Sequence, residues 1–148
     1  MNLGMKFRRT ASTTLSLGSL QADATRPRRL EWYYVSLGSE AAAADNPFLY
    51  ILQRFTAPGT FTAITLQPLD PADAATESDA GENHTVDATY TANLILAEWP
   101  LNQRATFQWH APEKGRFITP ATANNGLGIS TPTSSAVAIT GTLHANEL

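Results

Sequence analysis

Three histidines, a crowd of carboxylates in one segment and a crowd of cations in another are the side chains here that could do chemistry. His84, His110 and His144 are the available general bases. A hydrolytic triad needs such a base oriented by an acid and aimed at a hydroxyl nucleophile. None of the three accompanies a Gly-x-Ser-x-Gly elbow. Asp70, Asp73, Glu77 and Asp79 offer hard oxygen ligands suited to calcium, but the central Gly and acidic spacing of an EF-hand loop are missing. A solvated acidic loop is the simpler account of them. The histidines lack zinc-site spacing, and with no cysteine neither a thiolate metal site nor a disulfide framework can form. Gly126-Leu127-Gly128 reads as a turn between neutral residues, without the following Lys or third Gly of a phosphate cradle. The expectation is a protein with no enzymatic activity, no cofactor and no metal.

Charge separation is the stronger signal. Lys6, Arg8, Arg9, Arg26, Arg28 and Arg29 against Asp23 leave residues 1–30 at a formal +5. Asp70, Asp73, Glu77, Asp79, Glu82 and Asp87 leave residues 70–87 at −6, in a chain of net charge −3. Opposed segments of this kind can steer copies onto one another or onto a partner of opposite sign. Guanidinium forks suit carboxylates, so Arg8, Arg9, Arg26, Arg28 and Arg29 are candidate partner-binding residues. A net acidic chain argues against nucleic acid as that partner. Among the aromatics, Trp32, Trp99, Trp109, Tyr33, Tyr34, Tyr50 and Tyr90 could stack on sugar rings where they are not core. Trp99, beside Pro100 at a strand end, is the one expected to stand most exposed and joins the five arginines as a candidate partner-binding residue.

The elements that must position these groups read as short strands. Leu30–Leu37 carries aromatic and β-branched residues on both alternating faces, which predicts a central strand covered on two sides. Ala41–Ala44 could hold one helical turn before Asn46-Pro47. Phe48–Phe55 and Phe61–Leu69, joined through Pro58-Gly59, predict a β-hairpin. Pro68–His84 reads as a long acidic loop, with a short helix over Pro71–Ser78 as the alternative. Val86–Leu96 has the cleanest period-two pattern, and Ala105–His110 and Val137–Leu143 supply further strands. The sum is an all-β fold, a β-sandwich or jelly-roll-like barrel of about seven to eight short antiparallel strands. Residues 1–29, polar and Arg-bearing, are expected to form an extended basic arm outside a single sandwich domain at 30–148. On that expectation the domain still folds when the arm is removed.

Charged residues make up 16% of the chain, against about 25% in ordinary soluble proteins, and 23 Ala and 19 Thr fill much of the rest. Short neutral side chains lose little rotamer entropy on packing, so such a surface suits contact with neighbours. No window approaches the ~18 apolar residues of a membrane span, and hydroxyl-rich Thr10–Ser19 does not read as the core of a secretory signal.

The order of parts resembles the small decoration, or cement, proteins of tailed-bacteriophage capsids. The resemblance lies in the Phe48–Leu69 hairpin, the acidic Asp70-Pro71-Ala72-Asp73 loop, the Ala105–Trp109 strand, and the turn Pro120-Ala121-Thr122-Ala123-Asn124-Asn125-Gly126 leading to Thr131-Pro132. It covers about two-thirds of the chain and is one of texture more than of invariant motif. It implies a structural virion protein, made in the host cytoplasm, that binds the outer surface of an assembled shell and bridges major capsid protein subunits. It also implies a homo-oligomer, dimer or trimer, with no catalytic residues. The alternative reading is a carbohydrate-binding β-sandwich displayed on a virion or cell surface, with aromatics coplanar on one exposed face.

Overall fold

The computed structural model describes residues 1–11 and 14–148, and among these residues every regular element is a strand. In chain order the strands are β1 (Asn2–Thr10), β2 (Gly18–Gln21), β3 (Leu30–Ala41), β4 (Pro47–Phe55), β5 (Thr60–Ile64) and β6 (Gln67–Pro68). There follow β7 (Asp79–Val86), β8 (Tyr90–Asn102), β9 (Phe107–His110), β10 (Phe117–Thr119), β11 (Gly126–Ser130) and β12 (Ala138–Glu147). They form two antiparallel sheets packed together as a β-sandwich. The first has the order β10-β3-β12-β1-β6, with β9 sharing the β10 side of β3; the second runs β5-β7-β2-β11-β4-β8. Twelve strands replace the expected seven to eight, in part because β2, β6 and β10 are only two to four residues long. Runs that short carry no readable period.

Residues 1–29 are not an arm. All nine residues of β1 pair with β12, while β2 lies inside the second sheet between β7 and β11. The cause is a period-two pattern: Leu3, Met5 and Phe7 are buried, and Asn2, Lys6 and Arg8 are exposed. The Phe7 ring passes between the sheets, so close to Gly18 and Gly141 that a Cβ at either would lie 2.5 Å or less from it. It belongs to one core with Leu20, Trp32, Val35, Leu52, Leu127, Ile129, Ile139 and Leu143. The domain therefore starts with β1.

Two bulges in β3 decide what the first sheet shows to solvent. The register with β12 skips Tyr33 and Glu40. An extra residue reverses the alternation, so Trp32 and Val35 are both buried while Tyr33 and Tyr34 both remain half-exposed on the outer face. Hence β3 is covered on one side only, contrary to the sequence expectation. Past Ala41 the chain turns at Ala42 (φ 58°), where a helical turn was expected.

The expected hairpin between Phe48–Phe55 and Phe61–Leu69 does not form: β4 pairs with β8 and β11, and β5 pairs with β7. Instead the β4–β5 link and the β7–β8 link run side by side, Thr56 N–H donating to Thr89 O (3.1 Å) and Thr89 N–H to Ala57 O (2.8 Å). Gly59 (φ 73°) makes the bend, and a Cβ there would sit 2.3 Å from the Val86 carbonyl oxygen. This paired ribbon lays Phe55 and Tyr90 against Gly126 and Gly128, so all five residues of β11 are buried. Gly126-Leu127-Gly128 is thus a strand rather than a turn, made of glycine where rings press on it. Asn124 (φ 62°) supplies the left-handed position before it.

The acidic loop is shorter than its composition suggests. It ends at Ser78, and His84 lies within β7. No helix forms over 71–78; the buried Glu147 carboxylate instead accepts from Thr76 Oγ1 (2.9 Å), Ser78 N–H (2.8 Å) and Ser78 Oγ (2.5 Å) and ties the loop to the end of β12. Period-two Val86–Leu96 is broken as well, because the chain crosses between strands at 87–89 and β8 bulges where it passes β4, with Asn93 at φ 61°.

Candidate functional site

A groove of about 1080 Å³ opens where the edges of the two sheets part, between β1 and β5. Residues 4–8 of β1 and 63–65 at the end of β5 line it in unbroken runs, so strand edges as well as side chains form its walls. Glu40, Thr140, Thr142 and His144 reach it from the outer face of the first sheet, Gln67 and Leu69 close one end, and Glu82 stands at the other. Leu69, 49% exposed, is one of the most open large apolar side chains among the described residues.

Direction follows from register. The Asn2 carbonyl accepts from Leu69 N–H (2.9 Å), Gly4 faces Gln67 of β6, and Arg8 N–H donates to Glu82 Oε2 (2.8 Å). Backbone polar groups alternate along a strand, so Lys6 shares this outward direction. No strand pairs with it there, because β6 covers only Leu3 and Gly4. Its side chain is exposed and forms no ion pair among the described residues.

Beside the groove the outer face carries a row of rings in register: His110 on β9, Tyr34 on β3 and His144 on β12. Their centroids are 4.8 and 4.9 Å apart, and Tyr33 stands 6.0 Å from His144 with the Arg116 guanidinium 5.9 Å over its ring. The planes are tilted, by 53° and 34° within the row, so they make a ridged surface and not a flat one. Burial holds His144 below the ordinary histidine range.

The sequence-predicted partner-binding residues are scattered, and most of them meet carboxylates of the same chain. Arg8 pairs with Glu40, which also accepts from Thr140 Oγ1 (2.9 Å). Arg26 pairs with Glu77 (2.9 Å) and Arg29 with Glu31 (3.3 Å), which Arg116 shares (3.1 Å). The basic and acidic segments thus partly neutralise each other within the fold. Arg9 is half-buried and donates to the Ser16 carbonyl (3.0 Å); burial lowers its pKa, and Asp87 opposes that shift. Arg28 is exposed without an ion pair among the described residues. Asp23 is held at about 2 by hydrogen bonds from the Thr25 hydroxyl and the Thr25 and Arg26 amides.

Trp99 is half-buried, not the exposed residue expected. It packs against Phe107 (5.0 Å) and Trp109 (6.4 Å), and Trp109 stacks on Phe117 at 4.5 Å and 14°. This cluster seals the sandwich edge between β8 and the β9–β10 side of the first sheet. Trp32 is fully buried.

One histidine does meet a hydroxyl. His84 Nε2 lies 3.2 Å from Ser19 Oγ, and the charge of nearby Asp87, which accepts from Ser16 Oγ at 2.6 Å, is felt at the ring. Both His84 and Ser19 are fully buried, and neither lines the groove, so no substrate reaches the pair. Chiefly through burial, His84 titrates below its ordinary range. Among the described residues no three His, Asp or Glu side chains converge as a metal site.

The sign of the pH dependence follows. With folded pKa values below the unfolded one, the unfolded chain takes up protons first, so stability falls as pH drops through the ordinary histidine range. Urea midpoints are expected to be lower at pH 5.5 than at pH 7.5, with a smaller difference in His84→Gln. Equal midpoints for the parent protein would contradict this assignment.

No family model matches the chain, and no curated protein matches its sequence.

The groove was missed from sequence because it joins residues far apart in the chain. One signal was available: alternation of Leu3, Met5 and Phe7 with Gly4, Lys6 and Arg8 marks a strand with a polar outer side.

Proposed function

We propose that the protein is a structural component of a phage virion, binding the outer surface of an assembled capsid and stabilising it by bridging major capsid protein subunits. The observation that carries this reading is the broad outer face of the first sheet together with its groove. There, Thr140 and Thr142 offer short neutral contacts at the groove, while Arg8 and Glu40 neutralise each other. Such a surface suits wide adhesion. The resemblance to capsid decoration proteins supplies the partner. A ligand that binds only the assembled shell stabilises it by mass action, and repeated copies accumulate modest contacts. Co-sedimentation tests this: purified protein pellets with assembled shells and stays in the supernatant with unassembled subunits. Equal partition in both would remove the reading.

A second reading has its own observation. The His110, Tyr34 and His144 row with Tyr33 puts rings on the outer face, although they are tilted by 34–55° and do not form the coplanar platform this reading expects. It predicts glycan-array hits that Tyr34→Ala abolishes; capsid adhesion predicts none.

A further inference from the structure

We infer that the groove between β1 and β5 holds an extended segment of a partner protein, hydrogen-bonded to the open edge of β1 at Lys6, with a carboxylate of that segment meeting the Lys6 ammonium. As a statement of how a capsid partner is held it rests on the adhesion reading, and the experiments below separate the two.

Three observations lead here. The first is the interrupted edge. β6 covers β1 at Leu3 and Gly4 and then stops, while a side-chain carboxylate, Glu82, takes the Arg8 amide where a strand carbonyl would otherwise stand. Between these two covers lies Lys6, whose amide and carbonyl face the groove. Second, β5 pairs with β7 on one side only, so its end at Ala63 and Ile64 presents the opposite wall. A short strand placed between the two walls bonds backbone on one or both flanks, as in strand addition at a sheet edge. With roughly 3.3 Å per residue the slot takes about three to five residues. A volume of about 1080 Å³ leaves room for their side chains.

Charge is the third. Of the two basic side chains that line the groove, Arg8 pairs with Glu40, whereas Lys6 has no carboxylate partner among the described residues. Glu40 and Glu82, the other carboxylates of the groove, are engaged by Arg8 and Thr140. An acidic residue from outside therefore completes the site. The strands among the described residues already have places in the two sheets, and the occupant we assign is a segment of another molecule. At Gly4 the groove ends, because Leu69 and His144 pack so close over it that a Cβ there would lie 3.1–3.2 Å from them.

The test uses the full chain and a synthetic library of linear peptides about ten residues long, with and without acidic residues. Selected peptides are expected to carry Asp or Glu and to slow hydrogen exchange of the Lys6 amide, leaving the β12-bonded amides of Met5 and Phe7 as protected as before. Lys6→Glu should weaken their binding by about fivefold, the upper end for a lost exposed ion pair, because the reversed charge also repels the peptide carboxylate. Lys6→Pro, which removes the edge donor, should abolish the amide-dependent part; if that variant fails to fold, the Lys6→Glu and exchange measurements still decide. The inference is overturned if no peptide binds, or if peptides bind without protecting Lys6. Capsid co-sedimentation by the parent protein that Lys6→Glu leaves unchanged overturns it too, while the adhesion reading survives. Peptide binding without any capsid binding has the opposite meaning.

Discussion

A chain lacking residues 1–29 is expected not to fold: it should show no cooperative thermal transition and the far-ultraviolet dichroism of an unfolded polypeptide. The deletion removes Leu3, Met5, Phe7, Leu17 and Leu20, each essentially buried. Emptying a single such core position costs about 2–5 kcal/mol, and a whole domain is stable by only about 5–15 kcal/mol. The loss is topological too. Without β1 the inner edge of β12 is bare, and without β2 the second sheet separates between β7 and β11. A truncated chain that melts cooperatively near the parent temperature would mean that these strands are an appendage, as composition alone had suggested.

Next in size is Phe7→Ala, expected to cost about 3–5 kcal/mol. At about 2–4 °C per kcal/mol for a chain of this length, the melting temperature should fall by roughly 10 °C. The ring fills the gap that Gly18 and Gly141 leave between the sheets, and two glycine backbones cannot move side chains into the void. Relaxation is therefore limited, which puts the cost at the upper end for such changes. Gly141→Ala should approach the same loss from the opposite direction, by overpacking, since the new methyl would stand 2.2 Å from the ring. Denaturant titration checks both; a shift below about 1 kcal/mol for Phe7→Ala would show that the ring is not wedged.

Fold class was legible in the sequence, and topology was not. Short apolar runs separated by Gly, Pro and Asn announce strands, and β3, β4, β9 and β12 stand within a few residues of where those runs place them. Pairing is decided elsewhere. Pro58-Gly59 has the chemistry of a hairpin turn, yet the bend it makes is stabilised by Thr89 and the Val86 carbonyl, which lie thirty residues on and which no local pattern reveals. The doubly aromatic face of Leu30–Leu37 likewise has two explanations, cover on both sides or a bulge at Tyr33, and only the register with β12 chooses between them. Arginine-rich residues 1–29 were misjudged because charge outweighed alternation: Arg8 sits on the polar side of a strand whose other side is core. Of the site, single residues were visible and their convergence was not. Lys6 and Glu82 entered only as members of opposed charge segments, and the structure places them on the same groove.

Shell calorimetry tests the central claim most directly: assembled phage capsids are heated with and without saturating purified protein, alongside the variant Lys6→Glu. Adhesion across the outer face of the first sheet predicts that the parent protein raises the temperature at which shells disrupt; the Lys6 groove inference adds that the variant raises it less at equal concentration. Identical disruption temperatures with and without the parent protein, at a concentration where it stays folded, would contradict the account.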